Sequence, residues 1–144
     1  MDDLLQQATD FLRKRYVRPV HTVAAALRTT DGTVYLGVNI DHFSGFVCAE
    51  VSALASAMNA DEKSFVEIVA VRRESDGTIG VANPCGKCRQ ILHDFAPGIK
   101  IMVSDGGVSE IRSIEELLPF SFKRQRQKIQ DVLNEQNPRG LIDE

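Results

Sequence analysis

The sequence predicts an α/β fold, a three-layer α-β-α sandwich built on one mixed five-stranded sheet. Segments with apolar residues at helical spacing alternate along the chain with short segments rich in β-branched residues. The order reads helix, strand, strand, helix, strand, helix, strand, strand, helix, and no repeat or low-complexity linker interrupts it. A chain of 144 residues, 43% hydrophobic and 26% charged, suffices for a single domain over residues 1–144 with its own core and no disulfide staple.

Each element follows from a local pattern. Leu4, Leu5, Ala8, Phe11 and Leu12 repeat at helical spacing, so residues from about Asp3 to Tyr16 form an amphipathic helix that Pro19 ends. Val23, Ala25 and Leu27 alternate, Asp31-Gly32 supplies a tight turn, and Val34, Leu36 and Val38 alternate again, which is a β-hairpin. A polar and aromatic loop runs from Gly37 to Gly45. Cys48 then opens a helix of small residues through Glu50, Ala53, Leu54, Ala57 and Met58. The β-branched run from Phe65 to Arg73 reads as a buried strand closed by the Asp76-Gly77 turn. Pro84 suits a helix entrance, and Gly86 to Phe95 carries Ile91, Leu92 and Phe95 on one face before Pro97-Gly98 stops it. Ile99 to Val103 and Val108 to Arg112 are two further strands about the Asp105-Gly106-Gly107 turn. Ser113 caps a short helix from Ile114 to Leu118 that Pro119 breaks, and a polar C-terminal helix is expected from Ser121 to Asn134 with a tail to residue 144.

Composition narrows the function. With 17 basic and 20 acidic side chains the net charge is −3, without the basic excess that nucleic-acid binding demands. The longest apolar runs, such as Phe65 to Val71, fall far short of the ~20 residues that span a bilayer. The N-terminus, Met1-Asp2-Asp3-Leu4-Leu5, is acidic where a secretory signal carries positive charge, so the expected location is cytoplasmic. A small-molecule ligand, with no membrane and no nucleic acid polymer as partner, is the expectation.

Three cysteines, an odd number, point in a cytoplasmic protein to reduced thiols used for metal or catalysis. Cys85 and Cys88 form a Cys-x-x-Cys pair inside Asn83-Pro84-Cys85-Gly86-Lys87-Cys88-Arg89-Gln90, and Cys48 stands upstream in Val47-Cys48-Ala49-Glu50. Three thiolates match a catalytic zinc site, which keeps a fourth position open to water; a structural site fills all four. His93 lies five residues after Cys88 on the same helix, about 140° round the axis, and points away, whereas His42 in the loop stays open as a fourth ligand. Three thiolates make the centre formally negative. Arg89 is the expected offset, through a hydrogen bond to a ligand sulfur, together with the positive dipole ends of the helices that begin at Cys48 and Cys85. Glu50, two residues after Cys48 in a first helical turn, can reach a metal-held water without ligating the metal. As a lone residue it would read as a favourable helix-start glutamate.

The Cys48-Ala49-Glu50 element followed by Pro84-Cys85-Gly86-Lys87-Cys88 resembles the cytidine deaminase family, in which a His-or-Cys, x, Glu element joins Pro-Cys-x-x-Cys. Gly37-Val38-Asn39, Pro97-Gly98-Ile99-Lys100 and Glu116-Leu117-Leu118-Pro119 extend the resemblance over about Val23 to Phe122, and His42-Phe43-Ser44-Gly45 is most similar to the blasticidin-S deaminase branch. The resemblance implies one Zn2+ per chain held by Cys48, Cys85 and Cys88. It implies Glu50 as the proton carrier while a metal-activated hydroxide attacks the ring carbon bearing the exocyclic amine, releasing ammonia. It also implies that the Ala49 amide holds the pyrimidine carbonyl, that Asn39 contacts the sugar, and that Phe43 or Phe46 lines the base pocket. Phe122 matches an aromatic that packs onto the base from a neighbouring subunit, and a homotetramer is implied with it. Val51 stands where many members carry Arg, and Asp41 where they carry Glu; the first removes a charge offsetting the thiolates and the second shortens a ribose contact. The expected substrate is thus a cytosine nucleoside or analogue, of the cytidine, deoxycytidine or blasticidin S type, with the loop from Ile40 to Val47 setting the choice.

Two other readings compete. A structural zinc or redox dithiol protein would use Cys85 and Cys88 but leaves Cys48 and Glu50 unexplained. A polynucleotide deaminase rests on the run from Lys123 to Lys128, which alternates with Gln and reads as a solvated helix face.

Overall fold

The strand at Val23–Thr29 sends alternate side chains into two separate cores, and this division organises the molecule. The computed structural model describes residues 1–123. Its elements are α1 (Asp2–Arg15), β1 (Val23–Thr29), β2 (Val34–Val38), α2 (Ala49–Asn59), β3 (Phe65–Arg73), β4 (Ile79–Ala82), α3 (Gly86–Phe95), β5 (Lys100–Asp105), β6 (Val108–Ser113) and α4 (Ile114–Leu117). Ala24 and Ala26 of β1, with Val69 and Val71 of β3, face Leu4, Ala8 and Leu12 of α1. Ala25 and Leu27, with Ile68 and Ala70, face Ala53 and Ala57 of α2 and Leu92 of α3. Period-2 alternation on strands buried on both faces therefore gives one sheet between two helical layers.

The sheet is mixed, as expected, but it has six strands rather than five, in the order β2-β1-β3-β5-β6 with β4 paired to β3. The strand that sequence reading missed is β4. It is four half-buried residues, Ile79-Gly80-Val81-Ala82, too short and too glycine-broken to show alternation. The signal was the Asp76-Gly77 pair, which closes a hairpin rather than merely ending a strand: β4 runs antiparallel along β3 from Ala70 to Arg73. β5 takes the remaining stretch of the same edge, parallel to Glu67 and Ile68. The outer edge of β3 is thus divided between two strands, and the chain leaves this fork at Asn83 toward Pro84 and Cys85.

The helices start where their caps predict. Cys48 and Cys85 are the N-cap residues of α2 and α3, both with extended backbone. Ser113 and Glu116 close a capping box on α4. In the expected C-terminal helix from Ser121 to Asn134, residues 121–123 are not helical and the remainder lies outside the described residues. Among the described residues no helix is long and apolar enough to cross a membrane.

Gly37 fixes how α2 sits on the sheet. A Cβ at this buried strand position would lie 2.3 Å from the Ala53 amide nitrogen and 2.7 Å from the Ala49 carbonyl oxygen, both backbone atoms. Only a hydrogen side chain lets α2 approach this closely, and the approach sets the depth of the first helical turn, where Glu50 stands.

Candidate active site

The N-termini of α2 and α3 meet at one end of the sheet, and the thiols of Cys48, Cys85 and Cys88 meet there with them. Their sulfur atoms all lie within 4.8 Å of one another. Cys48 Sγ and Cys85 Sγ are 3.7 Å apart, far beyond a disulfide bond of about 2.05 Å. Tetrahedral zinc with Zn–S bonds of about 2.3 Å separates its sulfurs by about 3.8 Å, so the donor set fits zinc in type, number and spacing. The three cysteines are the only group of metal-capable side chains so placed among the described residues. His93 lies elsewhere, with Nε2 3.2 Å from Ser121 Oγ. His42 closes on its own loop, with Nδ1 2.6 Å from Ser44 Oγ.

The thiols differ in their surroundings. Cys88 is buried, and burial first, then the negative charge of Glu50, pushes its thiol well up. Burial also raises Cys48. At Cys85 partial burial opposes ionisation, but the Cys88 amide N–H, 3.5 Å from Sγ, and the neighbouring thiols outweigh it, leaving that thiol below its usual value. Cys85 is both an N-cap acceptor and a metal-type donor, the environment that favours a thiolate.

Glu50 is 7% exposed, one of only two buried polar side chains among the described residues. It is within interaction range of Cys88, and burial raises its carboxyl above the ordinary range, against the opposing pull of the Lys87 charge. A buried carboxylate without a counter-ion is expensive, so its presence beside three thiols is not a packing accident.

Two clamps hold the turn between β4 and α3. The Asn83 side chain pairs with the Ser104 backbone as a strand would: Nδ2 donates to the carbonyl oxygen at 2.9 Å, and Oδ1 accepts from the amide at 2.8 Å. This closes the fork between β4 and β5 directly before Pro84. Arg89 supplies the other clamp, with Nε donating to Pro84 O and Nη1 to Leu117 O, each at 3.0 Å. Here the structure departs from expectation: the Arg89 guanidinium serves carbonyls and makes no hydrogen bond to a ligand sulfur. The reason is its place in the first turn of α3, where its side chain lies back over Pro84 and the end of α4. Asn83 went unread in the sequence because its value depends on a strand fork that no local pattern shows.

Residues 1–104 match the family model for the cytidine and deoxycytidylate deaminase zinc-binding region. The chain belongs to the cytidine deaminase family. It is similar to a blasticidin-S deaminase of Bacillus cereus, 37% identical over 128 residues, covering 85% of this chain and 91% of that protein. A cytidine deaminase of Sporosarcina psychrophila is 33% identical over 108 residues, 72% of this chain and 76% of that one. Among solved structures, the cytidine deaminase of Burkholderia pseudomallei superposes with a TM-score of 0.71 at 30% identity, over 84% of this chain and 98% of that one. Membership makes this a zinc-dependent aminohydrolase, with Cys48, Cys85 and Cys88 as the group positioned for one zinc.

The remaining expected residues are held in different ways. Ala49 is buried at the first position of α2, where amides lack an intrahelical partner. Asn39, just after β2, uses its amide oxygen to accept from the Thr22 and Val23 N–H groups at 2.7 and 2.9 Å, so it ties the hairpin together. His21 Nδ1 donates to the Asn39 carbonyl oxygen at 2.7 Å. Phe46 lies against the zinc turn, its ring centroid 4.8 Å from Lys87 Nζ. Phe43 stands out in solvent and stacks only on His42, centroids 4.3 Å apart. Phe122 is exposed, and its carbonyl oxygen accepts from Gln90 Nε2 at 3.1 Å.

Proposed function

We propose that this protein hydrolyses the exocyclic amine of a free cytosine nucleoside or cytosine-nucleoside analogue, of the cytidine, deoxycytidine or blasticidin S type, giving the uracil form and ammonia. The observation that carries the reading is a buried carboxylate, Glu50, beside three convergent thiols at two helix N-termini. Zinc, when bound to Cys48, Cys85 and Cys88, supplies the Lewis acidity that activates a water molecule near neutral pH.

The chain's own residues do the rest. Glu50 accepts the proton released as water oxygen bonds to the ring carbon, and it returns a proton to the amine nitrogen as the carbon–nitrogen bond breaks. A carboxyl raised by burial suits a group that must both take and give a proton in one cycle. The Ala49 amide is free to donate to the pyrimidine carbonyl. Asn39, whose oxygen is committed to the hairpin, would contact the sugar through its Nδ2, which in this structure donates to Thr22 Oγ1 at 3.4 Å. Phe46 supplies an apolar wall next to the zinc turn, with Phe43 at the loop tip. Arg89 acts at one remove, by fixing the Pro84 carbonyl.

The same reading carries a homotetramer in which exposed Phe122 meets the base of a neighbouring copy; Phe120, also fully exposed, adds to that surface. Sedimentation should show an assembly, and a stable monomer would refute it. Three unpaired thiols suit a reducing, cytoplasmic setting. For the polynucleotide alternative, the basic run after Lys123 lies outside the described residues.

The test is ammonia release, followed by ultraviolet absorbance, from cytidine, deoxycytidine, cytosine, modified cytidines and blasticidin S, with zinc quantified on the same sample. Turnover of at least one cytosine nucleoside with one zinc per chain is expected. One zinc per chain with no turnover across the panel would remove the substrate class.

A further inference from the structure

The zinc turn contains a charge in an unfavourable place. Lys87 is the second residue of α3, whose first turn holds no acidic side chain, so its ammonium faces the positive end of the helix dipole. What it gains lies across the cleft. Lys87 Nζ donates to the Phe46 carbonyl oxygen at 3.3 Å and sits 4.8 Å from the centroid of the Phe46 ring. Both contacts go to one residue, one to its backbone and one to its side chain.

Phe46 belongs to a loop with few other ties. Residues 40–47 are all exposed. The loop is pinched at its base by the Ile40–Val47 bridge, with backbone N···O distances of 2.9 and 3.0 Å in the two directions. The Asp41 N–H donates to the Val20 carbonyl oxygen at 3.1 Å, and the contacts within the loop are the His42–Ser44 turn, the Gly45 N–H to His42 carbonyl bond at 3.0 Å and the His42–Phe43 stack. The loop enters the site directly, since Phe46 is two residues before Cys48, and Lys87 lies between Cys85 and Cys88. A bond between Lys87 and Phe46 therefore joins the two segments that carry the ligand set.

We propose that Lys87 is a positioning residue that straps the Ile40–Val47 loop to the zinc turn, thereby setting how tightly the cleft closes on its substrate. The proposal rests on the deaminase reading above. Its specificity consequence is that substrate binding, and not the chemical step, depends on the strap. Exposed cation–π contacts of this kind change equilibria by about two- to fivefold.

The experiment compares the full-length zinc-loaded protein with Lys87→Met and with Lys87→Arg, which keeps the charge. Hydrogen exchange of the loop amides, read without substrate, should quicken by about two- to fivefold in Lys87→Met and return toward the parent rate in Lys87→Arg. Zinc content should stay at the parent value in both. With the nucleoside that the parent turns over, Lys87→Met should raise KM by a similar factor and Lys87→Arg should bring it back toward the parent. Because the Lys87 charge also acts on the Glu50 carboxyl, the kcat comparison is made between the parent and Lys87→Arg, where kcat should hold. Unchanged exchange in Lys87→Met would overturn the strap. Faster exchange with unchanged KM would overturn the specificity role, and loss of zinc would mean that Lys87 serves the metal turn itself. If the parent turns over no cytosine nucleoside, the proposed substrate class fails, whereas the exchange measurement still decides the strap.

Discussion

The turn carrying Cys85 and Cys88 and the loop from Ile40 to Val47 meet at Lys87 and Phe46, yet they are held by different forces. The turn is anchored from behind: Pro84 and Cys88 are buried, Asn83 is paired to β5, and Arg89 is bonded to the carbonyls of Pro84 and Leu117. The loop is exposed along its length and rests on the Ile40–Val47 bridge, the Asp41 N–H to Val20 carbonyl bond and Lys87. Groups that must hold a metal at fixed distances need rotamers locked by packing and hydrogen bonds. Groups that admit and select a ligand tolerate looser support, and low-stability segments supply them. The difference teaches that, on the proposed function, chemistry and selection rest on elements with different support.

That separation can be broken most severely from the metal side. Cys48→Ala should abolish stoichiometric zinc and all turnover, since two thiolates cannot hold the centre; a fully metallated variant by elemental analysis would sink the three-thiolate assignment. Glu50→Gln should keep zinc and the thermal transition but lose about 10²–10⁴-fold in turnover, and substantial residual activity would remove Glu50 from proton transfer. Gly37→Ala forces a Cβ into the backbone of α2 and should cost about 1–3 kcal/mol in chemical denaturation, with turnover falling as the first helical turn shifts. An unaltered midpoint would show that α2 has room that the close approach denies. Asn83→Ala should lower stability by about 1 kcal/mol and slow turnover by disturbing the turn before Cys85, a change readable by denaturation and by zinc-site absorption after cobalt substitution. Phe43→Ala, at the solvent-exposed tip, should shift stability by no more than about 0.5 kcal/mol and act on KM alone. A stability loss as large as that of Asn83→Ala would erase the contrast between turn and loop.

Most elements were legible because each carries a local signal. Helical spacing gave α1 within a residue at either end, the Asp31-Gly32 turn gave the first hairpin, and Ser113 with Glu116 marked α4. β4 was not legible, since four half-buried residues with a central glycine carry too little periodicity, and its pairing depends on β5 leaving half of an edge vacant. The Cys-x-x-Cys pair and the Cys-x-Glu element were each legible because they place their side chains within single turns of chain. The bonds of Arg89 to Leu117 and of Asn83 to Ser104 were not, because each joins residues distant in sequence.

The sequence by itself singled out the zinc thiols at Cys48, Cys85 and Cys88 and the carboxylate proposed to move the proton, Glu50, through composition and short-range spacing. It also determined the alternation that sandwiches a mixed sheet between helices. Only the tertiary structure decided how the site is supported. The close approach at Gly37, the fork closed by Asn83, the Leu117 carbonyl taken by Arg89 and the Lys87 contact to Phe46 all join residues far apart in the chain. Such contacts depend on where elements pack, and packing is settled by the fold as a whole, not by any stretch of it.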